Sequence, residues 1–211
     1  MAEQFREPLS AEACAERLDL TNDQTQALGA YLNLLVKWQR KINLVAQTTL
    51  DDPWRRHMLD SGQLLGHLPP EAVSIADLGS GAGFPGLVLA IISRRPVDLI
   101  EADQRKAAFL REAARLTGAE VTVRCQRIEQ IDPGKGYDLI TARALTSLER
   151  LLKLARPIGH ERTVYLFPKG RQAESELTEA HRHWHMQVHR SPSLSDPEAS
   201  VLRLTGVHPV G

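Results

Sequence analysis

The sequence predicts an α/β protein built on a largely parallel sheet. From residue 71 onward, β-type runs and helical runs alternate, and the first β-type run ends in a glycine-rich loop, "DLGSGAGFPG" at 77–86. Residues 9–68, by contrast, show only helical rhythm. The chain therefore divides into an N-terminal helical extension, residues 1–70, and a sheet domain, residues 71–211.

Each element follows from its residues. "LSAEACAERL" offers Ser10 as an N-cap with acids in the first turn. In the next helix Leu28, Leu32, Leu35, Trp38 and Ile42 recur at helical spacing, while Lys37, Arg40 and Lys41 fall on other faces. "TLDDPWRRHMLDSGQLLGHL" reads as one more helix entered through Pro53 and closed by Pro69 and Pro70. "VSIADLG" is a strand, "PGLVLAIISRR" a helix, "VDLIEAD" a strand, and "QRKAAFLREAARLTG" a helix stopped by Gly118. "EVTVRCQRI" and "YDLITARA" are the third and fourth strands, with "SLERLLKLARPIG" helical after them. "RTVYLFPKG" is the fifth strand and "RQAESELTEAHRH" the last helix. "WHMQVHR" and "SVLRLTGV" add two strands with no helix between them, which breaks the parallel pattern.

Composition bounds the function. Among 211 residues, 26 Lys plus Arg balance 26 Asp plus Glu, so no net field draws a polyanion, although a local basic patch still can. The two cysteines, Cys14 and Cys125, lie far apart, which suits a reduced cytoplasmic interior. The first twenty residues lack a signal-peptide core, and no apolar run is long enough to cross a bilayer. A cytoplasmic protein without a membrane partner is expected.

The glycine loop fits two templates. Gly81, Gly83 and Gly86 spell the dinucleotide fingerprint G-x-G-x-x-G, while Gly79, Gly81 and Gly83 form G-x-G-x-G after Asp77. Both need glycine because a Cβ would hold a ligand off the backbone or forbid the turn. Pro85 removes an N–H donor where a pyrophosphate would want one, and Asp77 would repel phosphate but suit an ammonium. A Walker loop is excluded, since no Gly-Lys-Ser/Thr follows. Glu101, at the end of the second strand, can accept both ribose hydroxyl protons of an adenosine. Ile128 can flank an adenine ring whose edge meets Glu129 or backbone. An amino-acid end, a ribose and an adenine without phosphate describe S-adenosylmethionine.

Together with that loop, "KINLVA", "RHMLDS", "TARA" and "FPKG" make the chain resemble the RsmG (GidB) family from about residue 28 to the end. The resemblance implies a class I S-adenosylmethionine-dependent methyltransferase fold, Rossmann-like, with a mostly parallel seven-stranded sheet behind the helical extension. It implies methylation of guanine N7 in the 530 loop of 16S ribosomal RNA, with the small ribosomal subunit or its assembly intermediate as partner; nothing in the sequence suggests more than a monomer. By the same resemblance Gly79 and Phe84 line the cofactor site, and Ile128 and Glu129 meet the adenine. Arg143 stands at the active-site mouth near cofactor and target base, and Arg127 and Lys169 touch RNA or assist the reaction. One departure is visible: "EADQRK" replaces the usual "D-S-L-G-K", keeping the acid at Glu101 and adding Asp103.

Guanine N7 offers a lone pair, so no general base is required; placement of the reactants is the enzyme's task. Arg143 can hold guanine O6 or the cofactor carboxylate. Arg55, Arg56, Lys169 and Arg171 are candidate phosphate contacts, with a solvated surface charge the preferred reading for Arg171. His57 is read as bracing Asp60 within one helix, Trp38 as core, and Cys125 as buried strand filler. His181, His183, His185 and His189 are read as exposed side chains rather than a metal site. Rival functions are an NAD-dependent oxidoreductase, a non-catalytic RNA-binding assembly factor and a small-molecule methyltransferase.

Overall fold

The computed structural model describes residues 7–132 and 134–211. Ser10 caps α1 (Ala11–Leu18), accepting the Ala13 N–H at 3.1 Å. Thr21 and Gln24 form a reciprocal capping box at the start of α2 (Asn22–Gln39). Leu28, Leu32 and Leu35 are buried along α2, and Trp38 packs beside them while donating its indole N–H to Glu112 at 3.1 Å.

The third predicted helix is not continuous. Residues 47–67 form a 3-10 turn (Gln47–Asp51), a π-helical turn (Trp54–Leu59), one turn of α-helix, α3 (Asp60–Gly62), and a second 3-10 turn (Gln63–His67). Pro53 does stand at the entrance of the π turn. The regular ladder yields because buried polar side chains here bond off-axis, Arg55 to Asp52, His57 to Thr49 and Gln63 to Ser193. Such π turns recur at functional sites.

Seven strands follow in the predicted order, which is β1 (Ile75–Leu78), β2 (Val97–Ile100), β3 (Val121–Arg124), β4 (Tyr137–Ala142), β5 (Gly159–Lys169), β6 (Trp184–Pro192) and β7 (Ser200–Pro209). Between them lie α4 (Gly86–Ser93), α5 (Gln104–Thr117), α6 (Leu148–Ala155) and α7 (Ala173–Ala180). Gly118 ends α5 in the left-handed region at φ 66°. The sheet runs β3-β2-β1-β4-β5-β7-β6, with β7 antiparallel to both neighbours and the other adjacent pairs parallel. Strand order reverses at β1, and ligands of such sheets bind beyond the strand ends at that point.

Register fixes what meets there. Leu78 pairs with Ile100 on one side and Ala142 on the other, so the three strands end level. The next residues, Gly79, Glu101 and Arg143, therefore emerge side by side.

Two apolar layers cover the sheet. One joins α1, α2, α4 and α5 to Ile75, Leu99 and Leu139; the other joins α6 and α7 to Ala76, Leu78, Ile140 and Phe167. The N-terminal region thus shares a continuous core with the sheet rather than sitting apart from it. Among the described residues no helix is long and apolar enough to cross a membrane.

Gly83 marks that join. It sits at φ +95°, and a Cβ there would lie 2.7 Å from the Tyr31 hydroxyl and 3.0 Å from Leu87 Cβ. Gly83→Ala is expected to cost at least about 1–3 kcal/mol through backbone strain and overpacking, read as a lowered midpoint in urea unfolding.

Candidate active site

An open cavity of about 990 Å³ lies beyond the strand tips. The loops after β1 to β5 all contribute to its wall, through Gly79 and Gly81, Glu101, Gln126–Glu129, Arg143–Thr146 and Lys169–Gly170. Residues 44–46, the π turn and the β6–β7 loop close the remaining side.

The glycine loop is held by hydrogen bonds to its own backbone. Glu101 accepts the Gly81 N–H at 2.8 Å through Oε2 and the Asp103 N–H at 2.8 Å through Oε1. Each oxygen keeps lone-pair capacity, so the carboxylate is fixed yet can still accept from a guest. Asp103 does not line the cavity; it caps α5, accepting the Arg105 and Lys106 N–H groups. On the far side of the loop, the Tyr31 hydroxyl donates to the Ala82 carbonyl. Gly79 and Gly81 adopt positive φ, 62° and 55°, and leave bare backbone on the cavity wall. Leu145 lies over Gly79, with Cδ1 2.6 Å from where a Cβ would stand, and its neighbour Ala144 is itself left-handed at φ 51°.

Two loop residues expected at the ligand lie elsewhere. Gly83 does not line the cavity; it faces Tyr31, and packing explains it. Asp77 is fully buried beneath the loop, its carboxyl turned toward the Ser80 hydroxyl and the Gly86 N–H, and it does not line the cavity where an ammonium would stand. Its side chain alternates to the same face as Ile75 and lies against Gly86, where a Cβ would come within 2.5 Å of Asp77 Cβ. Burial pushes the Asp77 carboxyl up to about 7. The literal dinucleotide fingerprint thus dissolves, because Gly83 and Gly86 serve packing and Pro85 has no N–H.

Phe84 stays at the cavity, beneath a polar cluster. His57 stacks on it at 4.5 Å and 11°, and the Arg143 guanidinium sits 4.9 Å above the same ring. Arg143 Nη1 donates to Asp60 Oδ2 at 2.9 Å and to the Arg56 carbonyl at 2.8 Å, while Nη2 reaches His57 Nδ1 at 3.0 Å. His57 therefore does not brace Asp60; both converge on Arg143, brought there by the π turn and by β4. Burial first, then the charges of Arg143 and Arg56, lower the His57 pKa to about 3. Asp60 also accepts the Ser195 hydroxyl at 2.6 Å, which ties the β6–β7 loop to the cluster.

The basic residues sort by partner. Arg55 is only 4% exposed, with Nε on Asp52 at 2.5 Å and Nη2 on the Glu7 carbonyl at 2.6 Å, so it is a buried girder and not a surface phosphate contact. Lys169 lines the cavity and donates to Glu176 at 2.8 Å and to the Thr146 carbonyl at 3.0 Å, which steadies the loop after β4 and leaves one N–H of its ammonium over. Arg56 is exposed and pairs loosely with Asp196 at 3.3 Å. Arg171 pairs with Glu198 on the surface. Arg127 is exposed on the cavity wall beside Ile128 and Glu129, and has no ion-pair partner among the described residues. The sequence reading did not single out Lys106 and Arg150, which also line the wall without such a partner; each sits on an ordinary amphipathic helix and has no local signature.

Cys125 is exposed just past the end of β3, not buried within it. His181, His183, His185 and His189 are exposed, and no group of three or more metal-ligating side chains is assembled among the described residues.

Fold and site together define a class I methyltransferase. An O-methyltransferase from Bacillus cereus, solved in complex with SAH, superposes with a TM-score of 0.64 at 13% identity, covering 97% of this chain and 100% of that one. The family model described as rRNA small subunit methyltransferase G matches residues 24–201. Proteins named ribosomal RNA small subunit methyltransferase G are 48% identical in Rhodospirillum rubrum (95% of this chain, 99% of that one) and 50% identical in Rhodospirillum centenum (91% and 88%). The chain belongs to the rRNA small subunit methyltransferase G family, as its motifs suggest.

The Asp77 environment gives a signed expectation. Its carboxyl pKa is raised above the ordinary 3.8, so the native state binds the extra proton between about 4 and 7. That contribution to stability is present below the unfolded-state value and is lost as pH rises through about 7. Asp77→Asn should gain stability relative to the parent between pH 6 and pH 8, measured by urea unfolding at both pH values.

Proposed function

We propose that the protein methylates N7 of a guanine in the 530 loop of 16S ribosomal RNA, using S-adenosylmethionine, and works as a cytoplasmic monomer on the small subunit or its assembly intermediate. The observation that supports this most is the level ending of β1, β2 and β4, which sets bare glycine backbone, a fixed carboxylate and a guanidinium along one cavity in a chain of this family.

The residues suit that cofactor. Gly79 and Gly81 allow an amino-acid chain to lie against the backbone, Glu101 has lone pairs left for a ribose diol, and Ile128 and Glu129 stand at the wall for an adenine. When bound, S-adenosylmethionine supplies a methyl electrophile: guanine N7 bonds the methyl carbon while the carbon–sulfur pair returns to sulfur, and positive charge passes to the base.

No proton moves in that exchange, so a general base is unnecessary. His57, neutral and fully engaged, is not one. Arg143 retains its Nε–H and one Nη2–H for a guest, enough for guanine O6 or a carboxylate. Its pairing with Asp60 offsets much of its field, which would otherwise oppose a cationic product. In-line placement of the two reactants then accounts for the rate, an effect worth about 7–11 kcal/mol when orientation is good. Arg127, Arg150 and Lys106, lacking ion-pair partners at the mouth, supply phosphate contacts.

Mapping N7-methylguanine in 16S ribosomal RNA from cells with and without the gene tests the reading. One site should lose its methyl group in the deletion, and an unchanged pattern rejects the proposal. For the mouth cations, Arg127→Ala and Arg150→Ala should each lower the slope of log affinity against log salt for a 16S fragment by about 1. Calorimetry should find the affinity of the Arg150→Ala variant for S-adenosylmethionine unchanged.

A further inference from the structure

We infer that His57 is a positioning residue: a neutral imidazole whose Nδ1 lone pair holds the Arg143 guanidinium in place while its Nε2–H is anchored on Thr49. The inference deepens the methyl-transfer reading above and rests on it for its kinetic part.

Both ends of the ring require the same tautomer. Arginine can only donate, so the 3.0 Å contact between Arg143 Nη2 and His57 Nδ1 needs an unprotonated Nδ1. The ring proton then sits on Nε2, which lies 2.9 Å from Thr49 Oγ1. That hydroxyl donates its own hydrogen to the Ala46 carbonyl at 2.6 Å, leaving its oxygen to accept from His57. Stacking on Phe84 fixes the ring plane, and the guanidinium rides over the same phenyl face. Burial beside two arginines favours the uncharged ring, in agreement with the geometry.

The consequence is a chain of hydrogen bonds across the mouth in which Asp60 accepts from both sides and Arg143 donates both ways, to Asp60 and to His57. It runs from Ser195 through Asp60, Arg143, His57 and Thr49 to Ala46, and ties together the β6–β7 loop, the π turn, the loop after β4 and the segment before the π turn. The single lone pair of the neutral ring is consumed within this chain. His57 therefore sets the aim of Arg143 and does no proton transfer.

Nitrogen NMR of the histidine-labelled wild-type protein should show Nε2 protonated and Nδ1 bare throughout pH 5–8. A protonated Nδ1 or a charged ring in that range overturns the proposal. This measurement needs no turnover, so it stands apart from the functional reading; a wild-type protein that fails to methylate 16S RNA sinks that reading alone. Kinetics supply the second arm. His57→Ala should lower kcat by about 10–100-fold, the worth of one hydrogen bond to a charged group. His57→Asn, whose amide oxygen can accept where Nδ1 did, should recover most of that loss. Unchanged turnover in His57→Ala, or no recovery in His57→Asn with the variant folded by thermal melting, refutes the assignment. If His57→Ala does not fold, the tautomer in the wild-type protein decides.

Discussion

The site depends on holding a stretch of glycine-rich backbone still with few side chains of its own to anchor it. Three hydrogen bonds from outside do this: the Ile100 carbonyl takes the Ser80 N–H, Glu101 takes the Gly81 N–H, and Tyr31 gives its hydroxyl proton to Ala82. Tyr31 belongs to α2, which is itself clamped to the sheet layer by Gln24 on the Ile92 carbonyl and Trp38 on Glu112. Inside the low-dielectric core each of these bonds is stronger than in water and costly to leave unmade. The N-terminal helices are therefore part of the glycine loop's support, and the sheet alone would lack the Tyr31 grip.

Charge at the mouth is divided between support and reception. Arg55, Lys169 and Arg143 are engaged by Asp52, Glu176 and Asp60, and each pairing fixes a segment of the wall. Arg127, Arg150 and Lys106 point to the same cavity without an ion-pair partner among the described residues. This division lets a chain of zero formal net charge carry a locally basic rim, since the field that matters is local. Asp60, paired with Arg143 at 2.9 Å, offsets much of that guanidinium's field.

Much of the architecture was legible in the residues because hydrophobic period is a local signal. All seven strands and the helices between them lie where alternation and caps indicated, and Gly118 and Ser10 act as the turn and cap residues they resemble. The strand-end acid Glu101 and the wall residues Gly79, Phe84, Ile128, Glu129 and Arg143 all came to one cavity. What could not be read was direction. Arg55 and Arg56 are adjacent in an unremarkable run, yet one points inward and the other out, because successive helical residues diverge by about 100° and nothing local says which of the two faces the core. Gly83 looks like a ligand glycine until Tyr31, fifty-two positions earlier, is seen to fill its space. His57 and Asp60 suit a helical pair at i, i+3, and only the arrival of Arg143 from β4 separates them.

The placement of β7 has a consequence for how the chain comes to be folded on the ribosome. The seventh strand in chain order lies inside the sheet, between β5 and β6, and pairs with both. Until residues 200–209 have emerged, β6 has no neighbour and β5 exposes its ladder, an open edge of the kind that invites wrong pairing. The Ser195 loop reaches Asp60 only when this hairpin closes. A chain without residues 200–209 would leave an edge of β5 open and the Ser195 loop without the hairpin that carries it to Asp60.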